Sequence, residues 1–333
     1  MIQKWFYPFL INNISVFLLT ATTGSFITIS SNSWWIGWLG MEINLLGFII
    51  LLVSNNRNES TLKYFVIQSL GSVLLISRAL LLENFTTKNI ILILNIALLL
   101  KLGAAPLHFW LPIIVEQINK WQCLFLLTWQ KLAPLFLLFS LPKSKIITLF
   151  IIIRLLVGAI GSLNELRLFT LITYSSINHT GWILLALITN ELTRIIYIII
   201  YTLILTTIFI SINKKNTQTN WFMQNKIKFI ILINLLSLGG LPPFTGFFIK
   251  WLLLSEIYIY INLIINFILI LTRIILLYFY LRITINRFLN NKLLINYFTT
   301  TESNSVMLFR FINLPLFYII FVYIISINST FSF

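Results

Sequence analysis

Apolar residues recur in runs of roughly 18–22 residues from one end of the chain to the other, separated by short polar clusters. That is the length a helix needs to cross a hydrocarbon core about 30 Å thick. Eleven candidate spans follow from the pattern, near 6–28, 34–54, 62–82, 89–118, 121–140, 146–162, 168–190, 194–212, 227–254, 258–281 and 309–328. The fourth and ninth exceed a straight crossing, and both contain Pro and Gly. The expected fold is therefore an all-α polytopic membrane protein.

Composition excludes the main alternatives. Of 333 residues, 59% are hydrophobic and only 9% charged, against about a quarter charged in soluble domains. The chain cannot cover a water-facing surface. All eight acids are Glu, and Cys123 is the single cysteine, so no disulfide framework or iron–sulfur ligand set is available. There is no GxGxxG dinucleotide fingerprint either. Ile and Asn are abundant while Gly, Pro and Ala are scarce, the residue skew of an A/T-rich genome. The N-terminal Met-Ile-Gln-Lys-Trp reads as neither signal peptide nor transit segment.

The net charge of +15 comes from 23 basic residues, and their positions separate into two groups. One set of connections holds Lys4, Arg57, Lys63, Lys120, Arg167, Lys214, Lys215, Lys226, Lys228, Arg282, Arg287, Lys292 and Arg310. The opposite set holds Lys88, Lys143, Lys145 and Arg194. This roughly three-to-one bias puts the first set, and the N-terminus, inside. Eleven spans then leave the C-terminus outside. Charges spread over short inner loops fit anionic lipid headgroups such as cardiolipin rather than nucleic acid.

The second group lies within apolar runs: Arg78, Lys101, Lys131, Arg154, Lys250 and Arg273, joined by Glu42 and His179. An ionisable group at mid-bilayer costs at least about 2.5–3.5 kcal/mol, so each needs a partner, a hydrated cavity or a function. At 1.5 Å per residue, Glu42 lies roughly 12 Å into its span, Lys131 roughly 15 Å and His179 roughly 16 Å. All three fall near the midplane.

Two spans carry helix-breaking sequence. The fourth reads LLLKLGAAPLHFWLP, placing Lys101 before Pro106 and His108 just after it. The ninth reads LSLGGLPPFTGFFIKW, with Gly239, Gly240, Pro242 and Pro243 preceding Lys250. Proline removes a backbone donor and clashes with the preceding turn, so both helices should open. Open backbone at membrane depth is tolerated only beside protein or a water-lined cavity. Interruptions at corresponding places suggest two inverted five-helix repeats, about 1–142 and 143–290, with an inner loop and last helix over 291–333.

At this point the residues resemble a known family. MEINLLGF (41–48), KLGAAPLHFWLP (101–112), TWQKLAP (128–134), YSSINHTGW (174–182) and GGLPPFTGFFIKW (239–251) are similar to motifs of mitochondrial NADH dehydrogenase subunit 2. That family belongs to the antiporter-like membrane subunits of respiratory complex I. The likeness runs in order from about residue 28 to 285. It implies a core membrane-arm subunit of NADH:ubiquinone oxidoreductase in the mitochondrial inner membrane, N-terminus in the matrix and C-terminus in the intermembrane space. It also implies proton translocation along a midplane chain of buried groups: Glu42, Lys101, Lys131, His179 and Lys250, with His108 as a further candidate. NADH, FMN, iron–sulfur clusters and ubiquinone would belong to partner subunits, leaving this chain without a bound cofactor or metal.

Plainer readings stand beside these. The three lysines could be structural ions paired between helices, His179 a hydrogen-bonded core residue, and His108 a support for the first break. Trp34, Trp35 and Trp38 read as an interfacial aromatic belt. Arg78, Arg154 and Arg273 depart from the family pattern, and the sequence offers no functional account of them. Two other functions suit the same architecture: a free-standing cation/proton antiporter, and a membrane scaffold that conducts nothing.

Overall fold

The structure, a computed structural model, describes residues 14–53, 58–81, 87–142, 145–165, 167–187, 189–212, 225–257 and 263–289. The expected eleventh span, the chain from 290 onward and the side chain of Arg78 lie outside the described residues. Every regular element described is helical. In chain order these are α1 (Ile14–Ser30), α2 (Trp34–Val53), α3 (Asn58–Leu81), α4 (Thr87–Lys101), α5 (Trp110–Gln117), α6 (Lys120–Leu127) and α7 (Leu132–Phe139). There follow α8 (Lys145–Leu163), α9 (Leu168–Leu185), α10 (Glu191–Ser211), α11 (Asn225–Gly239), α12 (Thr245–Ile257) and α13 (Leu263–Leu289).

Among the described residues, the segments Trp34–Val53, Glu59–Ser77, Lys120–Phe139, Glu191–Ser211 and Ile265–Arg282 are long and apolar enough to cross a membrane. Their outward faces carry large apolar side chains, among them Leu62, Val73, Leu192 and Phe267, each more than 60% exposed. Only lipid or a neighbouring protein covers such a surface. Buried serines and threonines mostly bond a carbonyl three residues back in their own helix, as Ser25, Thr173, Ser237 and Thr272 do. Their hydroxyls are thereby satisfied without water.

The chain forms two compact units: Met1–Gly158 with Leu168–Gly181, and Ala159–Arg167 with Trp182–Phe333. In the first, α1 and α2 pack through small residues. A Cβ on Gly24 would lie 2.5 Å from the backbone nitrogen of Asn44, and one on Gly40 would lie 2.8 Å from the carbonyl of Gly24. Backbones this close are the usual seam between membrane helices. They fix α2, which carries Glu42. Helices α3, α4, α5 and α7 complete the surroundings, through α3–α4, α3–α5, α4–α7 and α2–α7 contacts. In the second unit α11 packs against α10, α12 and α13.

The expected breaks occur, but the residues that open them are only partly those anticipated. Helix α4 stops at Lys101, and Gly103 takes φ +64°. The amide of Gly103 bonds Leu100 O (3.0 Å) and that of Ala104 bonds Leu99 O (2.9 Å). In α11, Gly240 takes φ +82°, its amide bonding Ser237 O (3.0 Å) while that of Leu241 bonds Leu236 O (3.3 Å). Both ends have the paired 6→1 and 5→2 bonds of a glycine C-cap. The helices therefore end before Pro106 and Pro242 are reached. Those prolines, with Pro243, prevent resumption rather than cause the opening, and Gly239 is simply the last helical residue. Gly103→Ala should cost about 1–2 kcal/mol for a non-glycine left-handed residue. The added Cβ would also meet Leu111 Cδ1 at 2.5 Å. A lower thermal midpoint of the purified protein is the expected readout.

A third interruption was not anticipated. The run 121–140 reads as one helix, yet α6 ends at Leu127 and a single 3-10 turn, Trp129–Lys131, precedes α7. Pro134 has no amide to donate to Gln130 O, which disfavours an unbroken helix there by about 3 kcal/mol, whereas a proline in the first turn of α7 is tolerated. Hydropathy does not register this.

Candidate functional site

The 3-10 turn sets four successive side chains in different directions. Thr128 Oγ1 donates to Leu124 O (2.7 Å), and Trp129 Nε1 donates to Ser25 Oγ on α1 (2.9 Å). Gln130 Nε2 donates to Asn44 Oδ1 on α2 (2.8 Å), and its Oε1 accepts from Tyr64 OH on α3 at 3.5 Å. Lys131, 5% exposed, extends toward Ser176 O on α9, Nζ–O 3.5 Å. The turn is thus tied to three helices, and its lysine is left facing a fourth.

Lys101 occupies the last position of α4. Its Nζ lies 3.7 Å from Glu42 Oε1, with the lysine side chain 4% exposed and the glutamate 26%. Gln68 Nε2 donates to Lys101 O (3.1 Å), taking up one carbonyl freed by the break. Gly71 makes room for the lysine stem: a Cβ there would meet Lys101 Cγ at 2.8 Å.

Between the two lysines lies a cavity of about 30 Å³, room for about two waters. Its walls include Lys101, Lys131, Asn44, Tyr64, Gln68 and Gln130. A water there would have the several polar partners it needs.

The histidines differ from one another. His108 sits in the first break, buried, with Nδ1 3.2 Å from Pro106 O and its ring 4.4 Å from that of Phe109. This contact matches a support of the break. His179 is buried on α9, three residues beyond the Ser176 that faces Lys131.

In the second unit Lys250, on α12, is 1% exposed. Its Nζ donates to Leu238 O (2.8 Å) and stands 6.0 Å from the Trp182 ring centre. Arg273 of α13 donates through Nη2 to Gly240 O (3.1 Å), its guanidinium 4.7 Å from the Phe247 ring centre. Two cations therefore serve carbonyls that the second break leaves free.

The chain matches the family model described as NADH:quinone oxidoreductase/Mrp antiporter, transmembrane, over residues 31–276. It belongs to that family. The chain is 39% identical over 323 residues to NADH-ubiquinone oxidoreductase chain 2 of Anopheles gambiae, covering 90% of this chain and 94% of the relative. The Aedes aegypti protein of the same name is 37% identical over 322 residues, with the same coverage. Among solved structures, a chain of respiratory complex I from Thermus thermophilus superposes with a TM-score of 0.75 at 23% identity, covering 82% of this chain and 70% of that one. A chain of the Mrp complex from Dietzia sp. gives 0.70 at 15% identity, over 80% and 59%. These two show the fold.

Seen within the NADH:quinone oxidoreductase/Mrp family, the first unit gathers Lys101 and Lys131 around one cavity, pairs Glu42 with Lys101, and also holds His108 and His179. Lys250 belongs to the second unit. Asn44, Tyr64, Gln68, Gln130 and Gly103 were missed as contributors. Four are polar without being charged at neutral pH, and a search for ionisable groups passes over them. Asn44 and Gln130 stand inside the MEIN and TWQK motifs, where a buried amide needing a partner was the available signal. Gln130→Leu would leave Asn44 Oδ1 and Tyr64 OH without this partner, at about 1–3 kcal/mol. Thermal denaturation of the purified complex should register that loss.

Proposed function

We propose that this chain is a core membrane-arm subunit of respiratory NADH:ubiquinone oxidoreductase and carries protons through Glu42, Lys101, Lys131, His179 and Lys250. The observation that carries the reading is the cavity bordered by both Lys101 and Lys131, with Glu42 paired to the first. Burial favours the neutral form of a lysine, and an opposite charge at 3.7 Å favours the charged one. Opening and closing the Glu42–Lys101 pair would therefore make Lys101 release and recover a proton. Water in the cavity would relay it toward Lys131. Coupled groups of this kind titrate as a set.

On this reading the chain has eleven spans in two inverted repeats plus a last helix, in the mitochondrial inner membrane, with its N-terminus in the matrix and its C-terminus in the intermembrane space. Its partners are the other membrane-arm subunits and anionic lipid. NADH, FMN, iron–sulfur clusters and ubiquinone are held by other subunits, and this one contributes no redox step. Cys123, buried and the single cysteine of the sequence, offers no cluster ligand set.

A high-resolution structure of the whole complex tests the path. Ordered water bridging Lys101 and Lys131 is expected, and a dry gap beside Lys131 would overturn the path. Isolation of the chain apart from NADH:ubiquinone reductase activity would favour a free-standing antiporter instead.

A further inference from the structure

The three lysines do not have equivalent surroundings. Lys101 has a carboxylate partner in Glu42. Among the described residues, no ion pair joins Lys131 or Lys250 to a carboxylate. The acid on the helix of Lys250, Glu256, instead accepts from Thr193 Oγ1 (3.3 Å). Lys250 has an arginine close by instead: its Nζ would lie 3.6 Å from a Cβ on Gly240, whose carbonyl Arg273 bonds.

For Lys250 and Arg273 the geometry is direct. The glycine cap of α11 uses Leu236 O and Ser237 O. Lys250 takes Leu238 O, and Arg273 takes Gly240 O two residues on. Both cations sit at the negative end of the α11 dipole, where positive charge is favoured. Among the described residues, the titratable neighbours include Tyr280, against Gly239, and Tyr197, which interacts with Arg273.

A guanidinium cannot discharge itself to escape burial, whereas an ammonium can.

We propose that Arg273 is a fixed-charge positioning residue for Lys250. Its guanidinium supplies a permanent positive charge beside that lysine and keeps the second break bonded when Lys250 is neutral. This rests on the lysine path of the preceding section.

The test uses the assembled complex in sealed vesicles, with protons moved per NADH oxidised measured across pH for Arg273→Gln and Arg273→Lys variants. Without the fixed charge the lysine holds its proton more firmly, so the alkaline limb of the profile should move up by about one pH unit in the Gln variant. The Lys variant, which restores charge, should lie between Gln and the parent. A Gln variant that assembles with an unshifted profile overturns the proposal, as does a Lys variant shifted as far as Gln. If only the Lys variant assembles, an unshifted profile in it overturns it too. Lys131→Gln and Lys250→Gln serve as controls. Unchanged pumping there defeats the lysine path itself, whereas lost pumping there with unshifted arginine variants defeats only this inference.

Discussion

Lys131→Ala is expected to remove most proton translocation through this chain while leaving the span inserted and NADH oxidation running. Lys131 is buried, lines the cavity shared with Lys101, and has a carbonyl rather than an acid as its nearest bonding partner. An alanine there carries no proton. Loss of a positioned proton carrier slows transfer by about 10²-fold or more, so the flux through this subunit should fall by that order. Lys131→Arg is expected to fail as well, since a guanidinium keeps its proton. The decisive measurement is the ratio of protons moved to electrons delivered by an assembled variant complex. An unchanged ratio would remove Lys131 from the path.

Glu42→Gln should destabilise as well as inactivate. The substitution leaves the Lys101 ammonium buried without its counter-charge, and breaking a fully buried pair costs about 3–5 kcal/mol. Glu42 retains 26% side-chain exposure, so about 2 kcal/mol is the better expectation here. The double variant Glu42→Gln, Lys101→Met removes both charges and should recover much of that stability without recovering pumping. Thermal midpoints of the purified complexes and a double-mutant cycle separate the two effects. Equal stability of single and double variants would show that the pair contributes nothing.

Hydropathy made the helices readable because each apolar run had to be satisfied within itself. Expected spans 34–54, 146–162 and 194–212 differ from the helices found by only a few residues. The two glycine- and proline-rich breaks were legible for the same reason, since local sequence dictates them. The interruption at Trp129–Lys131 was not, because one proline in an apolar run leaves hydropathy unchanged while deleting a hydrogen bond. Glu42, Lys101 and Lys131 were visible as misplaced charges. The amides and hydroxyl lining the cavity between the two lysines were harder to read, because their meaning depends on partners distant in sequence, as with Tyr64 and Gln130, 66 residues apart. Arg273 was opaque for the same reason: the Gly240 carbonyl it bonds is 33 residues earlier in sequence.

The glycine caps on α4 and α11 have one more consequence. A helix that ends inside an apolar span leaves about half a negative charge there, carried by its last carbonyls. In water this field is screened, but lipid and packed side chains screen it poorly. Each interrupted helix therefore makes a shallow electrostatic well for a cation where apolar surroundings would otherwise expel one. Lys101 stands in the first well, beside Glu42, and Lys250 in the second. A chain with eight glutamates and no aspartate can in this way hold positive charge within an apolar span, its backbone doing for Lys250 what a carboxylate does for Lys101.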